Sequence, residues 1–295
     1  MSETFTLLIR PAAADDGRVD FADTFREVSR DEPALRVGEL STQRGDGIFE
    51  TLGLVNGHPQ EVEAHLERLV NSARISDLPE PNPAQWRQAI ALAQANMPTS
   101  GEYAVRLVLS RGVEHGPAPT AWLVAQAAAD NSALRANGMA VVTLDRGFAK
   151  DTPERAPWLL LGAKTLSYAV NMAAIREAKR RGAGDALFVS SDGYLLEGPT
   201  SSLIIRRNGV YETPAPSGGI LHGTTQLSLF EWLEARGEPT SYRDIPVRDL
   251  ETVEAAWLVS SVRLAVPITA IDGREIPVDH SMSAAFTEYL LSPRD

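Results

Sequence analysis

Hydrophobic and polar residues alternate along the chain in two rhythms that take turns. Residues 5–9 and 47–55 are read as strands, the second closed by Asn56-Gly57, a strong turn pair. In 61–75 the apolar residues Val62, Leu66, Leu69 and Val70 fall on one face of a helix. Pro79, Pro81 and Pro83 break the chain, and 83–96 is a second helix. Two β-like runs follow, 103–110 and 121–126, joined by a loop rich in Gly and Pro. The short, polar, alanine-rich stretch 128–138 is read as a connector between an N-terminal domain, 1–127, and a larger C-terminal domain, 139–295.

The second domain opens with a strand at 139–144. Residues 168–181 form an amphipathic helix with basic residues in its last turn and Gly182 and Gly184 beyond it. Runs 185–190 and 194–197 flank Asp192-Gly193, and runs 203–205 and 210–213 flank Asn208-Gly209, a pattern of successive hairpins. A helix at 225–236, strands at 256–259 and 274–277 and a closing helix at 283–291 complete the reading. Both halves mix helix and strand without a strict βαβ rhythm, so an α+β class is expected.

Composition narrows the chemistry. The 295 residues carry a formal net charge of −11, which disfavours binding to nucleic acid or to an anionic membrane through the bulk field. There are no cysteines, so disulfides, thiolate metal sites and Cys nucleophiles are excluded. The five histidines show no metal-ligand spacing, and no metal is expected. No basic-then-apolar leader and no 18-residue apolar run is present, so a cytoplasmic protein is expected.

Three places could carry chemistry. Lys164 follows the apolar run Leu159-Leu160-Leu161 and precedes a helix. A desolvated lysine is an amine nucleophile able to form a Schiff base, although a surface lysine at a junction reads the same way. Glu197 ends an apolar run and is followed by Gly198, Pro199, Thr200, Ser201 and Ser202. A carboxylate there suits a protonated pyridine nitrogen and the hydroxyls suit a phosphate; a polar capping loop is the plainer alternative. Gly218-Gly219-Ile220-Leu221-His222-Gly223-Thr224-Thr225 runs into a helix, which makes either an anion site or simply a capped helix.

The order of these pieces resembles the class IV aminotransferase family, the fold-type IV enzymes of pyridoxal 5′-phosphate (PLP). The resemblance runs from about Arg44 to Pro267. It rests on Gly45-Asp46-Gly47-Ile48-Phe49-Glu50-Thr51, Ala64-His65-Leu66-Glu67-Arg68-Leu69 and Lys164-Thr165-Leu166-Ser167-Tyr168 with Asn171-Met172. Asp192-Gly193-Tyr194-Leu195-Leu196-Glu197-Gly198 and Gly219-Ile220-Leu221-His222-Gly223-Thr224-Thr225 complete it. The resemblance implies a two-domain fold with PLP in the interdomain cleft, in a homodimer. It implies Lys164 as the Schiff-base lysine and proton shuttle, and Glu197 as partner of the pyridine nitrogen. Arg68, Thr224 and Thr225 would bind the phosphate, with Thr200 and Ser201 as further hydroxyls. Tyr168 would stand near the cofactor 3′-oxygen, and Ser260 and Ser261 would form a hydroxyl-bearing strand end beside it.

Within the family, Tyr103-Ala104-Val105-Arg106-Leu107-Val108-Leu109-Ser110-Arg111-Gly112 is most similar to aminodeoxychorismate lyases. Strand alternation sets Arg106 on the face opposite Val105 and Leu107. Members of the family it resembles carry a basic or polar residue facing the substrate at this position, so the resemblance implies Arg106 as the partner of a substrate carboxylate. Arg44 is a second candidate and Phe49 a further substrate contact. The expected activity is release of pyruvate and 4-aminobenzoate, a folate precursor, from 4-amino-4-deoxychorismate. The alternatives are a transaminase of branched-chain or D-amino acids or amines, and a PLP-binding protein without turnover.

Overall fold

The computed structural model describes residues 4–295. The chain divides into two compact units. One takes the residues up to Ala129 together with Ala163–Tyr168 and Pro293–Asp295; the other takes Asp130–Gly162 and Ala169–Ser292. The stretch 128–138, expected as a connector, contains helix α4 (Ser132–Asn137), which lies on the second unit's sheet. Its Arg135 is buried because its guanidinium donates to the carbonyls of Val262 and Arg263.

The first unit contains β1 (Thr4–Ile9), β2 (Phe25–Glu27), α1 (Leu40–Gln43), β3 (Gly47–Val55), β4 (His58–Pro59), α2 (Val62–Ile75), α3 (Pro83–Asn96), β5 (Glu102–Ser110) and β6 (Thr120–Ala127). The strands form one antiparallel sheet in the order β2-β1-β6-β5-β3-β4. One sheet face, with Ile48, Leu52 and Leu54 of β3 and Val105, Leu107 and Leu109 of β5, packs on Leu66 and Leu69 of α2 and Trp86 and Ile90 of α3. Each such aliphatic side chain stabilises by about 1.5–3 kcal/mol when buried, enough together to fix the register. That register puts Phe49, Thr51 and Arg106 on the opposite face, with Thr51 and Arg106 directly paired. It also forces Glu50 onto the core face.

The second unit adds β7 (Met139–Asp145), α5 (Thr152–Arg155), α6 (Ala169–Arg180), β8 (Asp185–Val189), β9 (Ser202–Arg207), β10 (Val210–Pro214), α7 (Thr224–Ala235), β11 (Thr240–Arg243), β12 (Ala255–Ser260), β13 (Leu264–Ile271), β14 (Arg274–Glu275) and α8 (His280–Leu291). Its mixed sheet runs β11-β10-β9-β12-β13-β7-β8, with β14 on β13. Alternation along β12 feeds two cores. Trp257 and Val259 meet Leu229 and Phe230 of α7 and Phe286 of α8; Ala256 and Leu258 join Leu203, Ile205 and Leu187 on the other face.

The structure departs from the sequence reading in places. Residues 194–197 do not form a strand: Leu195 donates to Ile245 while Leu196 and Glu197 pair with Phe188, so the segment is split between two neighbours. The run 274–277 is a strand only over Arg274–Glu275. The strands β2, β4, β11 and β13 lie outside the strand runs read from the sequence. In β13 the interior Pro267 argues against a strand; it is accommodated beside a register shift between β13 and β7.

Candidate active site

In the first unit, residues 163–168 run along the outer edge of β3. Phe49 N–H donates to the Lys164 carbonyl at 2.9 Å and Leu166 N–H to the Gly47 carbonyl at 2.8 Å. Ser72 of α2 accepts from the Lys164 N–H at 3.1 Å. The Gly-Asp-Gly motif permits this approach. A Cβ on Gly47 would lie 2.7 Å from the Leu109 carbonyl oxygen and 2.8 Å from Leu166 Cδ1, and one on Gly45, at φ +67°, 2.8 Å from Ser167 Oγ. Asp46 between them holds Arg111, which also reaches the carbonyls of Ser76 and Asp77. The arginine of the Ser-Arg-Gly run is therefore a brace between β5, this turn and the end of α2.

The segment brings Lys164 to an aromatic corner. Its Nζ lies 4.7 Å from the centroid of the Phe49 ring and 5.9 Å from that of Tyr168, and the two rings meet edge to face at 5.2 Å. The Arg106 guanidinium lies over the same Phe49 ring, at 5.7 Å. At Arg106 a groove of about 520 Å³ opens, lined by Thr51, Trp122 and Val124 from the sheet and also by Arg30 and Pro33. Arg44 caps the C-terminus of α1 and is exposed.

Behind this corner, Glu50 is fully buried. Arg68 donates to it through Nε and Nη2, both at 2.7 Å, and His65 Nδ1 lies 2.8 Å from its other edge. An ionised carboxylate only accepts, so the imidazole proton facing it sits on Nδ1. Burial alone would raise the Glu50 carboxyl. The charge and hydrogen bonds of Arg68, with His65, outweigh it and hold Glu50 well below the usual carboxylate range. Burial pushes the His65 imidazole down despite Glu50.

The second unit gathers a different set. Glu197 Oε2 accepts from the Leu221 N–H at 3.3 Å, tying the loop after 196 to the glycine-rich loop before α7. Thr224 and Thr225, both buried, open α7, and their hydroxyls lie 3.4 and 3.2 Å from Ser261 Oγ. Gly223 precedes them with no side-chain cap; a Cβ there would come within 2.2 Å of Ser202 Oγ. The helix N-terminus and three hydroxyls thus converge, a donor set suited to an oxyanion. Ser201 is buried and its hydroxyl accepts from Arg263. Thr200 is exposed, outside the hydroxyl cluster, and Ser260 pairs with Leu264 at the mouth of the β12–β13 hairpin.

Comparison with known proteins identifies the family. The model of the family described as amino-transferase class IV matches residues 47–271. The chain belongs to the class IV aminotransferases. It is a PLP-dependent enzyme of fold type IV. The chain is 47% identical, over 83% of its length and 88% of the relative's, to the bifunctional aminodeoxychorismate lyase / D-amino acid transaminase of Mycobacterium tuberculosis. It superposes on a fold IV transaminase of Curtobacterium pusillum with a TM-score of 0.93, at 47% identity and 98% coverage of both chains. A PLP-bound hypothetical aminotransferase from M. tuberculosis matches with a TM-score of 0.86, at 42% identity and 97% coverage of both.

The residues fit the cofactor this family uses. PLP presents an aldehyde, a ring nitrogen and a phosphate; the chain presents a lysine amine between aromatic rings, a carboxylate, and hydroxyls at an open helix N-terminus. Among the described residues no His, Asp and Glu group could hold a metal ion. Sequence reasoning passed over Glu50 and Arg263. For Glu50 a signal exists: an acid two residues from both Ile48 and Leu52 shares their buried face, and needs a cation such as Arg68 from the next helix. For Arg263 no local pattern announces the role.

Proposed function

We propose that this class IV enzyme is a 4-amino-4-deoxychorismate lyase, releasing pyruvate and 4-aminobenzoate. The observation that carries the reading is the Phe49 ring, with the Lys164 amine at 4.7 Å and the Arg106 guanidinium at 5.7 Å. An amine for proton transfer and a cation for a carboxylate share one aromatic support, next to a groove with Trp122 on its wall. A ring substrate carrying carboxylates suits that combination, with Arg44 as a second cation and Phe49 against the ring.

In this reading Lys164 carries PLP, Arg68, Thr224, Thr225 and Ser261 take its phosphate, and Glu197 keeps the pyridine nitrogen protonated. Tyr168, Ser201 and Ser260 complete the surroundings, and Thr200 has the weakest support because it is exposed. Bound PLP supplies an electron sink for a carbanion at the carbon bearing the substrate amine. Once displaced by the substrate amine, Lys164 Nζ would remove the proton from that carbon, the neighbouring ring carbon–oxygen bond would break, and a proton would be returned to the departing enolpyruvyl group. The Phe49 and Tyr168 rings keep water from the amine. Arg106 anchors the substrate so that this proton faces Nζ.

A second reading is transamination of D-amino acids, favoured by the name of the M. tuberculosis relative, which joins both activities. The roles of Lys164 and Glu197 are common to the two. The family resemblance also supports a homodimer. Among the described residues no helix is long and apolar enough to cross a membrane.

The test supplies aminodeoxychorismate to the holoenzyme without an amino acceptor and follows pyruvate. Release that disappears in Lys164→Ala supports the lyase. No release, with turnover of D-alanine that depends on 2-oxoglutarate, replaces it with the transaminase.

A further inference from the structure

The turn that carries Ser261 is held by side chains with no place in the proposed chemistry. Ser260 and Leu264 pair across the mouth of the β12–β13 hairpin, so Ser261, Val262 and Arg263 form a three-residue connection. Such a connection needs a left-handed residue, ordinarily glycine. Here that conformation falls on Leu264, at φ +62°, with its side chain buried. A strained backbone of this kind persists only where its surroundings over-determine it.

Two arginines supply the constraint. From α4, Arg135 donates to the carbonyls of Val262 at 3.1 Å and Arg263 at 3.2 Å, which sets the peptide planes of the turn. Arg263 itself reaches back: Nη1 donates to Asp185 Oδ2 at 2.7 Å and Nη2 to Ser201 Oγ at 3.2 Å. Asp185 begins β8 and is 1% exposed; its other oxygen accepts from the Ala186 N–H. Ser201 belongs to the loop that begins at Glu197, and Gly198 N–H donates to its carbonyl. A Cβ on Gly198 would lie 2.5 Å from Ser201 Oγ, so the glycine makes room for this hydroxyl. One guanidinium therefore joins the Ser261 turn to both the sheet and the Glu197 loop.

A buried ion pair is a poor source of net stability, because desolvation offsets the attraction. It is, however, directional, and an arginine fork fixes two partners in one plane. We propose that Arg263, with Arg135 behind it, is a positioning residue that presets the Ser261 hydroxyl beside Thr224 and Thr225 to receive the cofactor phosphate. The inference rests on reading those three hydroxyls as the phosphate site. A preset cup lowers the cost of binding, since the donors need no ordering when the phosphate arrives.

The test titrates the apoprotein with PLP and with pyridoxal, which lacks the phosphate. Arg263→Lys keeps a cation for Asp185 but loses the fork. It should weaken PLP by about tenfold or more and pyridoxal by less than about threefold, the difference expected from charge-assisted positioning of one hydrogen-bonding group. Arg135→Lys, which loses the paired grip on the Val262 and Arg263 carbonyls and touches no proposed cofactor contact, should move the ratio the same way by a smaller factor and provides the reading if Arg263→Lys does not fold. Equal losses for both ligands, or an unchanged PLP affinity, overturn the proposal. Thr225→Val serves as the control for the underlying assignment. If Thr225→Val lowers the PLP-to-pyridoxal preference and Arg263→Lys and Arg135→Lys do not, the positioning role alone has failed. If Thr225→Val leaves the preference unchanged, the phosphate assignment has failed, and the proposal with it.

Discussion

Glu50 grips Arg68 with both carboxylate oxygens, Nε on Oε1 and Nη2 on Oε2 at 2.7 Å each, from a strand face that is otherwise aliphatic. Removing the charge of one partner in a buried pair leaves the other uncompensated, at a cost of about 3–5 kcal/mol. Glu50→Gln keeps the shape and one acceptor, so a loss toward the lower end is expected. Urea denaturation of the apoprotein measures it. A variant as stable as the wild type would mean that Arg68 finds other compensation. Because the pair also fixes the guanidinium plane, Glu50→Gln should weaken PLP binding even where the fold survives.

The same cluster predicts how stability depends on pH. Burial holds His65 below its ordinary value of 6.5, against the pull of Glu50, while the Arg68 charge lowers it further and Glu61 opposes. As pH falls below that value the unfolded chain takes up a proton that the folded chain refuses. Stability is therefore full above it and declines below. Glu50 adds a second loss below the ordinary carboxyl value of 4.5, because its folded form stays ionised after the unfolded carboxyl has protonated. His65→Gln should flatten the first decline. Comparing urea midpoints near about pH 7.5 and about pH 5.5 checks this, and an equally steep fall in the variant would assign it to other groups.

Gly47 is placed where any side chain collides with the Leu109 carbonyl and with Leu166. Gly47→Ala should cost about 1–3 kcal/mol through overpacking. Since Leu166 N–H donates to the Gly47 carbonyl and Lys164 lies two residues earlier, the strain passes to the lysine. Slower recovery of PLP absorbance after reconstitution, at full refolding by circular dichroism, is the expected sign. A variant with wild-type reconstitution would separate this glycine from the lysine's placement.

Arg106 stands on the sheet face away from the core, paired across the ladder with Thr51. Its removal leaves no buried charge, so Arg106→Ala should barely change stability. It should raise the substrate KM by about tenfold or more while leaving the PLP dissociation constant within about threefold, the loss of one charged hydrogen-bond partner for a carboxylate. Steady-state kinetics with a parallel PLP titration decide the matter. Equal losses in both would make Arg106 part of the cofactor's surroundings instead.

Much of this was present in local sequence. The period of apolar residues in 61–75 and the alternation in 47–55 and 103–110 set α2, β3 and β5, because burying one stripe or one face is a local property of the pattern. The same alternation already separated Arg106 from Val105 and Leu107. The order of Lys164, Glu197 and Thr224-Thr225 pointed to the cofactor. Other features needed the tertiary structure. That Glu50 is buried follows from β3, but that Arg68 and His65 neutralise it depends on how α2 crosses the sheet. The strand β13 was hidden by Pro267, whose tolerance depends on its neighbours in the sheet. The bonds from Arg263 to Asp185 and Ser201, and from Arg135 to the Ser261 turn, span separations of about 60 to 130 residues. No periodicity reports contacts of that range. The order of motifs along the chain determined the family, and with it the chemistry proposed for Lys164, while the packing of distant segments decided which side chains surround it.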